Sequence, residues 1–252
     1  MIELEGLTKR YGKFTAVDQI SLSIPRGALY GLVGPNGAGK TTTMRMIAGI
    51  LRPTAGRALI AGIDIHSDPI GAKRRLGFIP DRPFVYDKLT GGEFLIFVAG
   101  LYGQAGPELG RRINELLDLF ELLPWRDELT ESYSHGMRQK LIIASALLHR
   151  PDVIVVDEPM VGLDPKSARL LKDLLREFVN RGGTVLMSTH TLEIAEAMCD
   201  RIAIVHAGRI AVAGTMEELR AQTASGDASL EELFLKLTGG LAGREFSELF
   251  DS

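Results

Sequence analysis

The sequence has almost no cysteine: Cys199 is the only one among 252 residues. A single cysteine excludes an intrachain disulfide and is consistent with a reducing compartment. No apolar run approaches the roughly 18 residues that a membrane-spanning helix needs, and the first residues lack the apolar segment of a secretory signal peptide. If the protein acts at a membrane, we therefore expect a separate chain to supply the membrane-spanning part.

The sequence also has little net charge, formally −3 at pH 7. Its densest basic cluster, residues 73–75, is short and typical of a solvated helix face, so we expect no nucleic-acid partner. With 45% hydrophobic and 24% charged residues, the composition is that of a soluble globular protein. The length is enough for one large domain, or for a core with a subdomain, that buries a sizeable apolar interior.

Short apolar runs alternate with helical patterns along much of the chain. Four runs have the composition of strands buried on both faces, which is typical of a parallel sheet; they are residues 28–34, 75–80, 152–159 and 183–190. Helical patterns follow three of these runs, at residues 40–49, 165–179 and 192–199. This alternation predicts an α/β fold with a mainly parallel sheet at its core.

Two kinds of segment interrupt the alternation. Residues 2–24, 58–65 and 201–214 alternate apolar with polar side chains, which predicts antiparallel strands and a hairpin turn at residues 206–209. Residues 91–148 show no strand pattern, and 107–123 place apolar side chains on one helical face. That face carries Leu109, Ile113, Leu116, Leu117 and Phe120.

These patterns predict a main domain over residues 1–220. A helical subdomain at about 86–148 is inserted into its α/β core, beside a small antiparallel β subdomain. Residues 221–252 form a short C-terminal extension, in which 221–229 have the composition of a linker and 230–237 that of an amphipathic helix.

Residues 34–42, "GPNGAGKTT", follow a predicted buried strand and open a predicted helix. They match the phosphate-binding pattern G-x-x-x-x-G-K-[ST] in the context that it requires. Glycines let the backbone wrap a phosphate, inward-pointing amides and the helix N-terminus attract its charge, and Lys40 reaches the terminal phosphates. The hydroxyl of Thr41 is a candidate Mg²⁺ ligand. The candidate nucleotide-binding residues here are Gly34, Pro35, Asn36, Gly37, Ala38, Gly39, Lys40, Thr41 and Thr42.

The stretch "VIVVDEP" carries an acidic pair at the end of another predicted strand, where α/β proteins bind ligands. We expect Asp157 to hold Mg²⁺ through its water shell and Glu158 to polarise the attacking water. Two solvated acids at a capped strand end would explain the pair on its own, but not beside the phosphate-binding loop. The two motifs together predict a nucleoside triphosphatase.

A second candidate anion site lies in "YSHGMRQK", residues 133–140. Ser134 can cap the helix that follows, and its hydroxyl and the next amides would face an oxyanion. Gly136 keeps that approach free of a side chain. Taken alone, the stretch is better explained as an ordinary capped helix.

The order of these motifs resembles that of the ATP-binding subunits of ABC (ATP-binding-cassette) transporters, over about residues 2–214. The family's usual signature, LSGGQ, stands here as "YSHGMRQ". The resemblance implies that Ser134 and Gly136 complete the ATP site of a partner subunit. The partner would be a second copy of this chain or a homologous ATPase subunit, arranged head to tail with two ATP molecules at the interface.

The resemblance assigns three more residues. Tyr11 stands where the family stacks an aromatic ring on adenine, although without the resemblance a tyrosine here would more often be a surface residue than a ligand. Asp164 lies in "GLDP" and would reach across the dimer, or it could cap the helix from residue 165. His190, in "STH", would contact the γ-phosphate and act with Glu158 and Lys40 in catalysis, or it could be structural.

One position departs from the family pattern. Asp81, in "IPDRP", stands where the family has a glutamine that serves Mg²⁺ and faces the membrane partner. A carboxylate ligates Mg²⁺ at least as well as an amide. The alternative is that Asp81 only begins a turn before Arg82 and Pro83.

Three functions remain compatible with these motifs. The first is the ATPase subunit of an exporter with a separate multi-span permease, located peripherally at the cytoplasmic face of the membrane. Under it, the aromatic-rich residues 86–105 would contact the permease, or else pack the subdomain. The second is a soluble assembly ATPase of the iron–sulfur scaffold type. The third, a translation or DNA-repair ATPase, needs two cassettes or a coiled coil, which this length does not hold.

Overall fold

The computed structural model describes residues 1–223 and 226–239. Its strands are β1 (Ile2–Tyr11), β2 (Phe14–Ile24), β3 (Leu29–Val33), β4 (Ala55–Ile60), β5 (Ile63–Asp64), β6 (Leu76–Ile79), β7 (Val153–Asp157), β8 (Thr184–Thr189), β9 (Arg201–His206) and β10 (Arg209–Gly214). Its α-helices are α1 (Lys40–Ile47), α2 (Pro69–Arg74), α3 (Gly91–Leu101), α4 (Pro107–Leu119), α5 (His135–Leu148), α6 (Pro165–Asn180), α7 (Leu192–Met198), α8 (Met216–Gln222) and α9 (Leu230–Thr238).

A six-stranded sheet forms the centre of the fold, in the order β10-β9-β3-β8-β7-β6. Strands β9, β3, β8, β7 and β6 run parallel, and β10 pairs antiparallel with β9 at one edge. Every residue of β3, β7 and β8 is buried, as the continuous apolar runs predict. The carboxyl ends of β3, β8, β7 and β6 therefore lie side by side at one edge of the sheet.

The second sheet is antiparallel, in the order β2-β1-β4-β5. A two-residue turn joins β1 to β2 and sets Tyr11 opposite Phe14. The apolar face of this sheet packs with α1 against the central sheet, in a cluster that includes Ile20, Met44 and Val155. The predicted turn between β9 and β10 is also present, with Ala207 and Gly208 both at positive φ, as a two-residue hairpin turn requires.

Helices α3, α4 and α5 pack together on the other face of the central sheet. Residues 91–148, all of them described, form helices and turns without a strand, as predicted. The predicted apolar face of α4 is largely buried, with Leu109 partly exposed at its end. The exact limits of a helical subdomain at about 86–148 stay a prediction.

The C-terminal segment contains a helix that the sequence patterns did not predict. Helix α8 begins with a capping box, in which Thr215 and Glu218 hydrogen-bond each other's backbone amides. Because α8 continues through Gln222, the predicted linker at 221–229 is wrong over its first two residues. Helix α9 confirms the predicted helix at 230–237, and its Leu230 and Leu233 are buried. Residues 224, 225 and 240–252 of the predicted extension lie outside the described residues.

Across residues 1–223 and 226–239, the helices are all too short or too polar to cross a membrane.

Candidate nucleotide-binding site

Four neighbouring strands deliver the candidate residues to one cavity of about 420 Å³. Lys40 follows β3, His190 follows β8, Glu158 follows β7 and Asp81 follows β6. This convergence results from the parallel strand order, because parallel strands end at the same edge of the sheet. Residues from the P-loop (residues 34–42) and from the β1–β2 hairpin complete the wall; the P-loop members are Asn36, Gly37, Ala38, Gly39, Lys40, Thr41 and Thr42.

The P-loop needs glycine at two positions for steric reasons. A Cβ on Gly34 would lie 2.3 Å from the carbonyl oxygen of Val205 in β9. Gly39 has φ +104°, and a Cβ there would lie 2.5 Å from the carbonyl oxygen of Ala16 in β2. Both sheets thus hold the loop close to their backbones, and only glycine allows this approach.

Lys40 extends from the first turn of α1 along the loop and is only 6% exposed. Its ammonium donates hydrogen bonds to the carbonyl oxygens of Gly34, at 2.7 Å, and Pro35, at 3.2 Å. Burial lowers the pKa of Lys40, while the carboxylates of Glu158 and Asp157 oppose that shift. The Lys40 ammonium is therefore held where the phosphate oxygens of a bound nucleotide could replace these two carbonyls as its hydrogen-bond acceptors.

Asp157 is 1% exposed at the end of β7. Its Oδ1 accepts a hydrogen bond from the hydroxyl of Ser188, its register partner on β8, whereas its buried Oδ2 accepts none. Burial raises the pKa of Asp157, and the hydroxyls of Ser188 and the nearby Thr41 oppose the rise. A buried carboxylate oxygen without a partner, beside a threonine hydroxyl, has the donor chemistry that Mg²⁺ takes in proteins.

The described residues contain no group of three or more His, Cys, Asp or Glu side chains arranged to hold a metal by themselves. A Mg²⁺ at Asp157 and Thr41 would therefore depend on phosphate oxygens and water for its other ligands, which is usual for Mg²⁺ in nucleotide sites. The donor set fits the metal as part of a nucleotide complex.

Glu158 is 16% exposed and adopts φ +50°, which is uncommon for a non-glycine residue. Its backbone amide is anchored by Ser188 on β8. Its Oε1 lies 2.9 Å from Nδ1 of His190 and 3.9 Å from the ammonium of Lys40. The backbone conformation turns the carboxylate from the strand toward the cavity, between a cation and an imidazole.

Asp81 also lines the cavity, and its carboxylate lies 3.6 Å from the guanidinium of Arg45 on α1. Its charge contributes to the raised pKa of Asp157.

At the other end of the cavity, Tyr11 and Phe14 line the mouth. Arg45 and Phe14 were not identified from the sequence. A two-residue hairpin turn at residues 12–13, had it been predicted, would have placed Phe14 directly opposite Tyr11.

Ser134, Gly136 and Asp164 do not line this cavity. Ser134 caps α5, as predicted, accepting a hydrogen bond from the amide of Met137 at 3.2 Å. Asp164 caps α6 by accepting from the amide and hydroxyl of Ser167, which lowers its pKa to about 2. Gly136 lies beside the carbonyl of Gly162, so the signature stretch and the GLDP stretch are adjacent.

A phosphate-binding loop before a helix, an acidic strand end and a parallel sheet define a P-loop nucleoside triphosphatase. The family model for ABC transporters matches residues 17–161, more than half of the chain. The chain belongs to the ABC transporter family, as its motif order predicts.

Similar proteins agree with this assignment. The daunorubicin/doxorubicin resistance ATP-binding protein DrrA of Streptomyces peucetius is 42% identical over 224 residues, covering 89% of this chain and 68% of its own length. A probable multidrug ABC transporter ATP-binding protein of Escherichia coli, YbhF, is 36% identical over 240 residues, 94% of this chain. The chain spans 41% of the length of YbhF.

Two solved structures are close in fold. The structure of an ATP-binding subunit of an ABC transporter superimposes with a TM-score of 0.89 at 34% identity, covering 94% of this chain and 99% of the other. A dimeric post-hydrolysis state of the ATP-binding cassette MJ0796, bound to ADP and Pi, gives 0.79 at 26% identity, covering 86% and 99%. The predictions of an ATP-binding subunit of an ABC transporter and of ATPase activity are confirmed.

Proposed function

We propose that this chain drives an export permease, made of a separate multi-span chain, from the cytoplasmic face of the membrane. Two copies, or one copy and a homologous ATPase subunit, close head to tail around two ATP molecules. The observation that carries the proposal is the gathering of Lys40, Asp157, Glu158 and His190 at one sheet edge. The names of relatives such as DrrA, a resistance protein, favour export.

In this mechanism the P-loop amides and Lys40 bind the phosphates. Glu158 accepts a hydrogen bond from the attacking water and orients it toward the γ-phosphorus. His190 holds Glu158 through the 2.9 Å contact between Nδ1 and Oε1 and reaches the γ-phosphate from the end of β8. The positive φ of Glu158 sets the direction in which its side chain leaves the backbone, and the contact with His190 holds the carboxylate, so less ordering is needed during the reaction.

Asp157 and Thr41 would hold Mg²⁺, with Asp81 as a third oxygen ligand once it leaves Arg45. When bound, the metal would neutralise charge on the phosphate oxygens as the bond to the leaving group breaks. The unpartnered Oδ2 of Asp157 supports this assignment. Asp81 is supported only by its position in the cavity wall and its interaction with Asp157.

The N-terminus of α5 would close the site of the opposing subunit. Ser134 is exposed and lies outside the cavity of its own chain, although its helix end is suited to an anion. Asp164 is exposed at the start of α6, lies 4.0 Å from the ammonium of Lys140 on α5, and would belong to the same surface. Closure of this surface onto a second nucleotide site would exclude water and supply amides to the transferring phosphoryl group.

The substitution Glu158→Gln tests this mechanism. Loss of the carboxylate that polarises the attacking water should slow ATP hydrolysis by at least about 100-fold, while the ATP affinity stays close to that of the wild type. Glu193→Gln, an exposed change in the first turn of α7, is the matched control and should leave turnover unchanged. Single-turnover hydrolysis and equilibrium ATP binding are measured for all three proteins. Turnover of Glu158→Gln near the wild-type rate would contradict the role of Glu158.

A further inference from the structure

The turn between β1 and β2 carries two exposed aromatic rings at the mouth of the nucleotide cavity. Phe14 is 63% exposed and Tyr11 is 49% exposed, and both line the cavity wall. They are directly opposite in the register of the two antiparallel strands. Side chains opposite each other in an antiparallel pair project from the same face of the sheet, so both rings project from the cavity side of the hairpin.

The position of the P-loop in the cavity indicates where the base of a bound nucleotide would lie. Lys40 and Thr41 mark the phosphate end, at the start of α1. The hairpin and the P-loop are held together by backbone, since Gly39 packs against the carbonyl of Ala16, two residues after Phe14. A nucleoside triphosphate with its phosphates on the loop would therefore direct its base toward the turn.

One face of the Tyr11 ring is already occupied. The ammonium of Lys9 lies 5.3 Å from the ring centroid and is fixed by a 2.7 Å hydrogen bond to the carbonyl of Arg52. Such a cation–π contact orients the ring. It also leaves only the opposite face of Tyr11 for a base, so additional base contact has to come from another side chain at the mouth.

We propose that Phe14 is that side chain: a second aromatic contact for the base of the bound nucleotide, beside Tyr11. The proposal rests on the proposed nucleotide-binding function and adds a residue to it. An exposed phenylalanine is not unusual by itself, but this one lies in the cavity wall opposite the ring that is expected to stack. Stacking on ring faces requires no hydrogen bond from the base. It therefore favours bases with a large π surface and does not select one particular base.

The test separates contact with the base from contact with the phosphates. Affinities of the full-length chain for ATP and for inorganic tripolyphosphate, which has no base, are measured by calorimetry. Phe14→Ala should weaken ATP binding by about five- to tenfold, at the low end for aromatic–base stacking because the ring is half in solvent. Tripolyphosphate affinity should be unchanged, and Phe14→Tyr should keep the ATP affinity of the wild type.

Phe84→Ala is the matched control, because Phe84 is 73% exposed but lies outside the cavity wall. It should bind both ligands as the wild type does. Unchanged ATP affinity in Phe14→Ala would overturn the proposal. Equal weakening of ATP and tripolyphosphate would also overturn it, because that result indicates a displaced P-loop. Failure of the wild type to bind ATP would instead reject the nucleotide-binding function itself.

Discussion

Asp157 combines a cost in stability with a role in the reaction. The carboxylate is buried, its pKa is raised by that burial, and one of its oxygens accepts no hydrogen bond. Because the folded-state pKa lies above that of the unfolded chain, protonation of Asp157 stabilises the fold in acid. That contribution is lost as the pH rises through the folded-state pKa. The charged form at neutral pH therefore destabilises the protein when no cation is bound.

We predict that Asp157→Asn raises the stability of the nucleotide-free protein at neutral pH by about 1–2 kcal/mol, because a neutral amide is cheaper to bury than a carboxylate. The difference from the wild type should shrink as the pH falls toward the pKa of Asp157. The same variant should need more Mg²⁺ for half-maximal hydrolysis. Chemical denaturation at several pH values and Mg²⁺ titrations of turnover measure the two effects.

Asp81→Asn is the companion variant for this prediction. Asp81 is partly exposed and paired with Arg45, so its substitution should not stabilise the protein. If Asp81 ligates the metal, this variant should also need more Mg²⁺; an unchanged Mg²⁺ dependence would remove Asp81 from the metal site. A fall in stability of Asp157→Asn at neutral pH would contradict the account of Asp157.

Among individual residues, the sequence predicts the side chains that belong to local motifs. It misses those that meet their partners only through strand pairing or helix packing. Lys40, Asp157 and Glu158 follow from patterns a few residues long. Ser188 acts because strands β7 and β8 align it with Asp157. Arg45 meets Asp81 because α1 lies beside the loop after β6. Such pairings depend on strand order and helix placement, which short patterns do not contain.

Among the elements, α5 has two functions at its first turn. The Ser134 hydroxyl caps the helix, and the same helix end is proposed to face a phosphate of the opposing subunit. Ser134→Ala would not separate the two functions, because loss of the cap alone lowers the stability of the protein by about 1 kcal/mol. Aspartate is also a good N-cap and its charge suits a helix N-terminus, but it repels phosphate.

We therefore predict that Ser134→Asp keeps the stability and ATP affinity of the monomer but weakens ATP-dependent dimerisation by at least about tenfold, since a charge facing a phosphate costs more than 1.4 kcal/mol. Ser134→Thr, which retains the cap without charge, is the control. Both are examined in the Glu158→Gln background, so that ATP is not consumed, by sedimentation with and without ATP. Dimerisation of Ser134→Asp at wild-type strength would show that α5 does not meet the second nucleotide.

The elements also show which strands and helices can be predicted from the spacing of apolar residues and which cannot. Strands β3, β7 and β8 are buried on both faces, which leaves a continuous apolar run in the sequence. Helix α8 is only seven residues long and buries one leucine, Leu219, so its apolar period is too short to recognise. Its capping box, Thr215 with Glu218, was the available signal.

For the whole molecule, the aromatic-rich segment after β6 divides into two groups. Phe94 is buried and Tyr102 stacks on His149, so these two pack the helical segment. Phe84, Tyr86 and Phe97 are exposed. The rings of Phe84 and Phe97 each pack edge to face against Tyr86, with centroids 5.7 Å and 5.3 Å away. Such a cluster of exposed rings is typical of a protein interface, and its place next to Asp81 would connect a partner's movement to the cavity.

We predict that this aromatic cluster binds the permease. Phe97→Ser should reduce the amount of a multi-span membrane protein that co-purifies with the tagged chain in mild detergent, because it removes an exposed ring from the contact. It should leave basal ATP hydrolysis unchanged, since Phe97 lies outside the nucleotide cavity. Ile70→Ser, at an exposed position on α2, is the control. Equal recovery of the membrane protein by both variants would place the docking surface elsewhere. Recovery of only soluble partners by the wild type would instead favour an assembly ATPase, with the hydrolysis mechanism unaffected.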